Sequence, residues 1–309
     1  MTDSRILIHI GYPKAASTWL QQVIFKDENS GFYAPWGLPS YEALDSFINI
    51  SPYHFSADSV RQTFNLGLKN AAEKQLVPVI SEEFLTGDQT RGKYWGKEVA
   101  ERLHAVFPEG RVLILIREQK SIILSAYRQY IRRGGFVSLE RFLGISTQNK
   151  TGIGPVCRLD YFEYDRPIEH YQTLFGSENV LVLPTEFLKK NAKDAIEKIL
   201  SFSGSQGNPD YQKVAQNVGI KGGTLAFRQK LNNFCAPPEQ QESVQGFIWL
   251  LGYKMSGTIE KFLPQKYHDR AEENFKNIIA QIAGDSFIQS NQRTSQLIGM
   301  NLKDFGYSC

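Results

Sequence analysis

Short apolar runs alternate with helical patterns along the first 200 or so residues of the chain. Four runs have the composition of buried parallel strands. They are Arg5–Tyr12, Leu76–Ser81, Arg111–Arg117 and Asn179–Glu186, with Gly31–Pro35 as a fifth candidate. Helical patterns separate them, at Ser17–Lys26, Ser59–Lys74, Lys97–Phe107, Lys120–Arg133, Tyr161–Phe175 and Asn191–Phe202. This alternation predicts an α/β fold with a central parallel sheet of about five strands flanked by helices.

The rest of the chain has a different pattern. Two stretches rich in Gly, Asn and Pro, Gly204–Asp210 and Ala236–Gln241, are typical of loops. Helical patterns lie at Gly223–Phe234 and Tyr267–Ile282, and no internal repeat is present. We therefore predict a single domain over residues 1–309, with a core of about 1–203 and a helical C-terminal extension of about 204–309.

Composition and charge exclude several classes of protein. The chain has 309 residues, 41% hydrophobic and 22% charged, which is ordinary for a globular protein. A net charge of +3 is too small to indicate a nucleic-acid surface. No apolar run could span a bilayer and no signal peptide is apparent, so we expect a cytoplasmic protein. Cys157, Cys235 and Cys309 form no CxxC pair, which argues against a zinc or redox site.

A loop of sequence GYPKAASTW leads from the first predicted strand into a helix. Parallel sheets bind ligands at the carboxyl ends of their strands, and a helix N-terminus offers free N–H groups that suit phosphate. Ser17 and Thr18 have hydroxyls that can cap the helix or contact phosphate oxygens, and Lys14 adds a mobile positive charge. The loop therefore predicts an anion site.

The same loop departs from the nucleotide-binding pattern GxxxxGK[ST]. Gly11 and Thr18 are in register, but Ala16 replaces the second glycine and Ser17 replaces the lysine. The lysine stands earlier, at Lys14, within the loop. A lysine there suits a donor in which one phosphate carries the group to be transferred.

A second basic residue, Arg117, ends the third predicted strand. Arg117 follows five apolar residues, so it emerges at the carboxyl edge of the sheet, where its guanidinium fork suits phosphate. Ser125 lies two turns into the next helix and can reach the same anion. Further along that helix, Arg128, Arg132 and Arg133 are expected to face solvent or an acidic acceptor.

Four segments, in this order and spacing, resemble the sulfotransferases that use 3′-phosphoadenosine-5′-phosphosulfate (PAPS). GYPKAASTWLQ is similar to their 5′-phosphosulfate loop and LILIREQKSIILSAY to their 3′-phosphate motif. FGSENVLVLPTEFLKKN resembles their strand ending in Glu-x-Leu, and FIQSNQRTSQLIGMNLKDFGYSC resembles their C-terminal ending. The resemblance spans nearly the whole chain and is to bacterial and glycan-type members. It implies a P-loop-NTPase-like fold and sulfuryl transfer from PAPS, leaving 3′-phosphoadenosine-5′-phosphate (PAP), without a metal.

The resemblance also implies roles for the loop residues. Lys14 would contact the 5′-phosphate and the bridging oxygen of the donor. Ser17, Thr18 and the backbone amides of Ala15–Trp19 would hold the 5′-phosphate. Ala16 stands where the family usually has glycine, and we interpret it as a position inside the start of the helix, where alanine is harmless.

Other roles implied by the resemblance lie further along the chain. Arg117 and Ser125 would hold the 3′-phosphate. Lys221 and Gly222 belong to a short string similar to the late loop that closes over this phosphate in some members. Glu186 is expected to anchor the turn after the fourth strand rather than to catalyse.

A general base would help an acceptor hydroxyl to attack. The second strand ends in Ser81, Glu82 and Glu83, on the same sheet edge as Lys14. Glycan and bacterial sulfotransferases place a glutamate there, whereas the phenol-type enzymes use a histidine; here the next histidine, His104, is well into a helix. We favour Glu83, because the resemblance is to a Ser-x-Glu string, and keep Glu82 as the alternate.

Two other functions remain open from the sequence. A P-loop kinase would need Mg²⁺, held by a loop hydroxyl and an acidic residue such as Glu82, but the loop lacks the lysine at position 17. A non-catalytic nucleotide-binding module is the other alternative. The predicted acceptor is a hydroxyl or an amine of a small molecule or glycan, and the glutamate base favours carbohydrate. The sequence does not indicate the oligomeric state.

Overall fold

A computed structural model of the chain describes residues 5–144, 156–209, 220–234, 252–253 and 260–309. Its strands form one parallel sheet in the order β2-β3-β1-β4-β5. The strands are β1 (Leu7–Gly11), β2 (Phe32–Tyr33), β3 (Val77–Ser81), β4 (Arg111–Ile116) and β5 (Val180–Pro184). The predicted α/β fold with a five-stranded parallel sheet is confirmed, and each predicted strand is present but shorter.

Helices cover both faces of the sheet and form most of the remaining described chain. They are α1 (Ser17–Trp19), α2 (Tyr41–Leu44), α3 (Ala57–Lys74), α4 (Gly96–Val106), α5 (Gln119–Arg132), α6 (Leu139–Phe142), α7 (Asp165–Phe175), α8 (Thr185–Lys190), α9 (Ala192–Ser203), α10 (Gly222–Phe234), α11 (Gln265–Ala283) and α12 (Ile288–Ile298). Every residue of β1 and β3 is buried, as expected for strands with helices on both faces. No helix in the described part is long and apolar enough to cross a membrane.

The strand order reverses direction at β1, the central strand of the sheet. The chain leaves β1 for β2 and β3 on one side, then returns to β4 and β5 on the other. The residue pairs His9–Ser81 and Gly11–Leu115 align the ends of β3, β1 and β4. The carboxyl ends of these strands bound the crevice in which open α/β sheets bind ligands.

Near this edge one predicted helix differs in type and one predicted strand boundary is wrong. The helix predicted over Ser17–Lys26 is α-helical only as far as Trp19 and continues as a π-helical turn, Leu20–Phe25. The strand predicted to reach Glu186 ends at Pro184, which has no N–H to continue a ladder, and Thr185 begins α8. Glu186 is therefore a first-turn residue of a helix.

The C-terminal part is helical where it is described, and one of its helices was not predicted. Helix α12 turns Ser290, Asn291 and Thr294 towards the interior, so it lacks the apolar periodicity that identifies a helix in sequence. Residues 205–209 form the irregular start of the predicted loop at 204–210, whereas the predicted loop at 236–241 and Cys235 lie outside the described residues. Cys157 is buried and unpaired, as expected for a packed thiol.

Candidate functional site

The loop after β1 has an unusual backbone. Lys14 has φ 81° and Ala16 has φ 67°, so two residues with side chains occupy the left-handed region. Ala16 precedes α1 as its N-cap. Our interpretation of Ala16 as an unstrained position inside the helix is therefore wrong: it adopts the conformation for which glycine is favoured, at a cost of about 1–2 kcal/mol.

This backbone turns a set of N–H groups towards the sheet edge. The N–H groups of Ala15 and Trp19 donate to the carbonyls of Tyr12 and Ala16, at 2.9 and 3.0 Å. Those of Ala16, Ser17 and Thr18 donate to no backbone carbonyl within the described ranges. Successive N–H groups beside left-handed residues form a concavity that suits an anion. Of the amides predicted to bind phosphate, these three remain free to do so.

Ser17 contributes a buried hydroxyl to the same loop. It is 2% exposed, and its Oγ has no hydrogen-bond partner among the described residues. A Cβ on Gly11 would lie 3.0 Å from this Oγ, so glycine leaves the space that the hydroxyl occupies. Thr18 is exposed at the mouth of the loop, and Trp19 is half-buried with its indole nitrogen unpartnered in the described chain. An unpartnered buried hydroxyl beside free amides marks a place for an oxyanion.

Glu83 is held against this loop. The Thr86 hydroxyl, in the same helical turn as Glu83, donates to the carbonyl of Gly11 at 3.2 Å, and the Lys14 ammonium attracts the Glu83 carboxylate. Burial raises the pKa of Glu83, and this attraction opposes the rise. Burial likewise lowers the pKa of Lys14, which Glu83 opposes and the nearby Arg132, Arg117 and Arg133 reinforce. The loop therefore has a carboxylate and an ammonium of altered pKa that interact electrostatically with each other.

Glu82 points the other way, into the protein. It is 1% exposed, and its Oε1 accepts a hydrogen bond of 3.0 Å from the N–H of Phe84, which caps the short helical turn Glu83–Thr86. Its Oε2 has no partner in the described chain. Burial raises the pKa of Glu82 to about 7. Of the two carboxylates, Glu83 is the one that opposes the lowered pKa of Lys14.

Arg117 closes the other side of the loop. Its Nη1 donates to the carbonyl oxygen of Lys14 at 3.1 Å, while its Nε and Nη2 donate to the hydroxyl of Ser121 at 3.0 and 2.6 Å. Ser125, the predicted partner, is half-buried one turn further along α5, on the same face as Ser121. Ser121 was missed by the sequence analysis, although its place four residues after Arg117 was a usable signal.

The start of α5 is fixed by partly buried polar contacts. The carboxylate of Glu118 accepts from the N–H groups of Lys120 and Ser121, at 2.9 and 2.8 Å. Glu186 accepts from the N–H of Glu118 at 3.2 Å and from the hydroxyl of Tyr307 at 3.1 Å. Glu186 thus joins α8 to the start of α5 and to the C-terminal segment.

The first residue of α5, Gln119, ties this helix to the C-terminal helix α12. Gln119 donates to the side-chain oxygen of Asn291 at 2.6 Å, and Asn291 donates to the carbonyl of Ser308 at 2.7 Å. Both side chains are buried. The C-terminal segment singled out in the sequence therefore supports the helix that carries Ser121 and Ser125.

Lys221 and Gly222 lie at the start of α10. Lys221 is exposed, with its Nζ 3.4 Å from the side-chain oxygen of Gln265, and Gly222 packs closely against Glu272 of α11. Glu272 pairs with Arg128 on α5, one turn after Ser125. This links the start of α10 to α5, the helix that carries Ser125. Within the described ranges, however, Lys221 makes no direct contact with Arg117 or Ser125.

Three buried polar side chains join the elements on which the loop depends. His9 lies within β1 at 0% exposure and shares a 2.7 Å hydrogen bond with Ser81, to which Gln21 also donates at 3.1 Å. Burial lowers the pKa of His9 to about 3, so the ring is neutral. These residues tie β1, β3 and the helix after the loop together. A histidine inside an apolar strand was the sequence signal, and it was overlooked.

A ligand-sized cavity of about 340 Å³ lies near this site but apart from it. Tyr12, Thr86, Tyr161 and Tyr171 are among its walls, whereas Lys14, Glu83 and Arg117 are not. The charged residues of the loop therefore lie outside the walls of this cavity. No cluster of three or more His, Cys, Asp or Glu side chains suited to a metal ion occurs in the described residues.

Comparison with solved structures identifies the class of fold. A sulfotransferase from Alicyclobacillus acidocaldarius aligns with a TM-score of 0.54 over 97% of this chain and 98% of its own, at 15% identity. Two sulfotransferase domains align less well. The domain from the curacin biosynthetic pathway has a TM-score of 0.41 at 14% identity, over 69% of this chain and 78% of its own. The domain from the Synechococcus PCC 7002 olefin synthase has a TM-score of 0.36 at 11% identity, over 75% of this chain and 96% of its own. No family model and no curated protein matches the chain. The chain has the sulfotransferase fold, an assignment that depends on the first of these structures.

Proposed function

We propose that this protein is a sulfotransferase that uses PAPS as its donor. The observation that carries the proposal is the meeting of Lys14, Glu83 and Arg117 at one anion-binding loop. The loop lacks the lysine that kinases place at the start of the helix, and its own lysine lies beside a carboxylate. The fold of the solved sulfotransferase agrees with this interpretation.

The donor would lie along the carboxyl edge of β1 and β4. Its 5′-phosphate would accept from the free amides of Ala16, Ser17 and Thr18 and from the buried Ser17 hydroxyl. Its 3′-phosphate would lie at Arg117 and the α5 face of Ser121 and Ser125. Arg117 can exchange its bond to the Ser121 hydroxyl for a stronger one to a doubly charged phosphate.

The chemistry follows from the neighbours of the transferred group. The acceptor oxygen attacks sulfur in line, and its proton passes to Glu83, whose raised pKa makes it a better base. The bond from sulfur to the bridging oxygen breaks, and the electron pair stays on that oxygen. Lys14 stabilises the negative charge that develops there. The products are the sulfated acceptor and PAP.

Donor binding tests the proposal before any acceptor is known. Calorimetry in EDTA should detect PAP binding and much weaker binding of adenosine 5′-monophosphate, which lacks the 3′-phosphate. Arg117→Ala should weaken PAP binding by about 10–100-fold, the value of charged hydrogen bonds. Binding of the monophosphate should change little in this variant.

The same titrations contain their own controls. Lys198→Gln removes an exposed charge from α9 and should leave both affinities unchanged. Equal losses of both nucleotides in Arg117→Ala would mean that Arg117 acts only by holding the Lys14 carbonyl. Binding of ATP with Mg²⁺ in preference to PAP would instead support the kinase alternative and overturn the proposal.

A further inference from the structure

Two side chains from the segment after β3 hold backbone carbonyls at the loop after β1. The hydroxyl of Thr86 lies 3.2 Å from the carbonyl oxygen of Gly11, and the Nε2 of Gln89 donates to the carbonyl of Pro13 at 3.3 Å. Both side chains follow Glu83 closely in the sequence. A peptide group is planar, with its N–H opposite its C=O, so a carbonyl that is held also fixes the direction of the next N–H. The segment that carries the proposed base therefore also orients the loop.

Gln89 is fully buried, and its side chain makes a single hydrogen bond within the described residues. It is 0% exposed, and its Oε1 has no partner there. The amide cannot be turned over, because that would place Oε1 against the carbonyl oxygen of Pro13. A buried acceptor that is left unpaired costs free energy, so a glutamine at this position is a poor choice for stability alone. Its one polar contact is with the residue that precedes Lys14.

The turn that carries Gln89 is fixed from both sides. Asp88 and Lys93 exchange two backbone hydrogen bonds, of 2.8 and 3.0 Å, which close the turn. From the end of α5, Arg133 donates to the carboxylate of Asp88 at 3.1 Å and to the hydroxyl of Thr90 at 2.7 Å. Asp88 is 3% exposed and Thr90 is 5% exposed. The two neighbours of Gln89 are thus anchored, and its amide has a defined place under the loop.

The peptide that Gln89 contacts lies where the loop leaves the ordinary backbone conformations. Lys14 has φ 81°, in the left-handed region. Arg117 holds the carbonyl of Lys14 at 3.1 Å, whereas no backbone N–H in the described chain donates to the carbonyl of Pro13. Without Gln89 the peptide between Pro13 and Lys14 would be restrained from one side only. The free N–H groups of residues 16–18 would then lose their fixed direction.

We infer that Gln89 is a positioning residue of the donor site, which holds the Pro13 carbonyl and thereby directs the loop amides at the 5′-phosphate. The inference rests on the proposed function for its ligand and adds a residue that acts on one phosphate of the donor. Gln89 acts through the backbone and does not touch the nucleotide. A purely structural role would instead change the stability of the protein and leave the nucleotide affinities of the folded protein unchanged.

Three nucleotides separate these roles. PAP has both phosphates, adenosine 5′-monophosphate has only the first and adenosine 3′-monophosphate has only the second. Gln89→Met removes the hydrogen bond at similar side-chain volume. It should weaken the binding of PAP and of the 5′-monophosphate alike, by about 3–10-fold, the value of one neutral hydrogen bond. Binding of the 3′-monophosphate should stay within about twofold of the parent protein. The affinities are measured in EDTA by displacement of radiolabelled PAP, at a temperature where circular dichroism shows each variant to be folded.

Two further variants complete the test. Gln172→Met is the matched control, because Gln172 also donates to a backbone carbonyl, that of Leu297 in α12, at 3.2 Å, and it should leave all three affinities unchanged. Gln89→Asn draws the amide back by one methylene and should behave like Gln89→Met, which covers a failure of the latter to fold. Unchanged affinities in either folded Gln89 variant overturn the inference, as does a loss confined to PAP or one shared by the 3′-monophosphate. Failure of the parent protein to bind PAP would overturn the proposed function itself.

Discussion

The strained backbone of the anion loop gives a prediction that is independent of any substrate. Ala16 has φ 67°, and in this region a side chain costs about 1–2 kcal/mol relative to glycine. Ala16→Gly should remove that strain from the folded protein. It also makes the unfolded chain more flexible, which opposes the gain by about 0.4–1 kcal/mol. We expect a small net stabilisation.

A second Ala→Gly change isolates the strain. Ala72 is exposed within α3, where it is helical, and Ala72→Gly should destabilise the protein by about 1 kcal/mol. The unfolded-state effect of Ala→Gly is the same in both variants, so it cancels in their difference. What remains is the relief of strain at Ala16. The two variants should differ in free energy of unfolding by about 1–2 kcal/mol, with Ala16→Gly the more stable.

Thermal unfolding without ligand, followed by circular dichroism, is the assay. With about 2.1 cal/mol/K of unfolding entropy per residue over 309 residues, the predicted difference corresponds to about 1.5–3 °C in Tm. Gln75→Gly is a positive control, because Gln75 ends α3 with φ 56° far along the chain from the loop. It should be stabilising for the same reason as Ala16→Gly. If Ala16→Gly destabilises as much as Ala72→Gly while Gln75→Gly stabilises, the loop is not strained as described.

Three further predictions concern individual side chains. Lys14→Ala should lower turnover about 10²–10³-fold with a smaller loss of PAP affinity, because the ammonium acts mainly on the departing oxygen. The measurement is a steady-state assay run with EDTA, and a requirement for Mg²⁺ would contradict the prediction. Glu82→Gln should keep turnover. The folded pKa of Glu82 is about 7, which exceeds its unfolded value. The stability that the protonated carboxyl contributes is therefore lost as pH rises from about 4.5 to 7. Over this range the free energy of unfolding of the parent protein should fall by about 1–3 kcal/mol more than that of the variant. Asn291→Ala should destabilise the protein by about 1–3 kcal/mol in urea, since it leaves Gln119 without its buried partner; a change below 0.5 kcal/mol would mean that water replaces the amide.

The sequence predicted the sheet because buried parallel strands are nearly pure apolar runs. It predicted the edge of the site for a related reason: Lys14, Glu83 and Arg117 are the polar residues that follow three such runs. Neighbouring parallel strands bring those ends together whatever the details of packing. The order of the strands then decides which ends are adjacent.

What the sequence did not predict depends on backbone conformation and on buried polar pairs. Nothing in the sequence Ala15-Ala16-Ser17 indicates that Ala16 is left-handed, because alanine rarely adopts that conformation. Helix α12 was missed because its inward side is polar and is satisfied by a glutamine distant in sequence. Ser121 stands one helical turn after Arg117, and this spacing was overlooked in favour of Ser125.

The central position of β1 has a consequence for how the site forms during folding. Strand β1 pairs only with β3 and β4, both far along the chain, so two long loops must close before its end is fixed. The anion loop depends on both pairings, through the Tyr12 N–H on the Leu115 carbonyl and the Glu82 N–H on the His9 carbonyl. A nascent or partly unfolded chain with helices and a partial sheet would therefore have no competent loop. Anion binding should appear late in refolding, and a bound nucleotide would stabilise the complete sheet selectively over its intermediates.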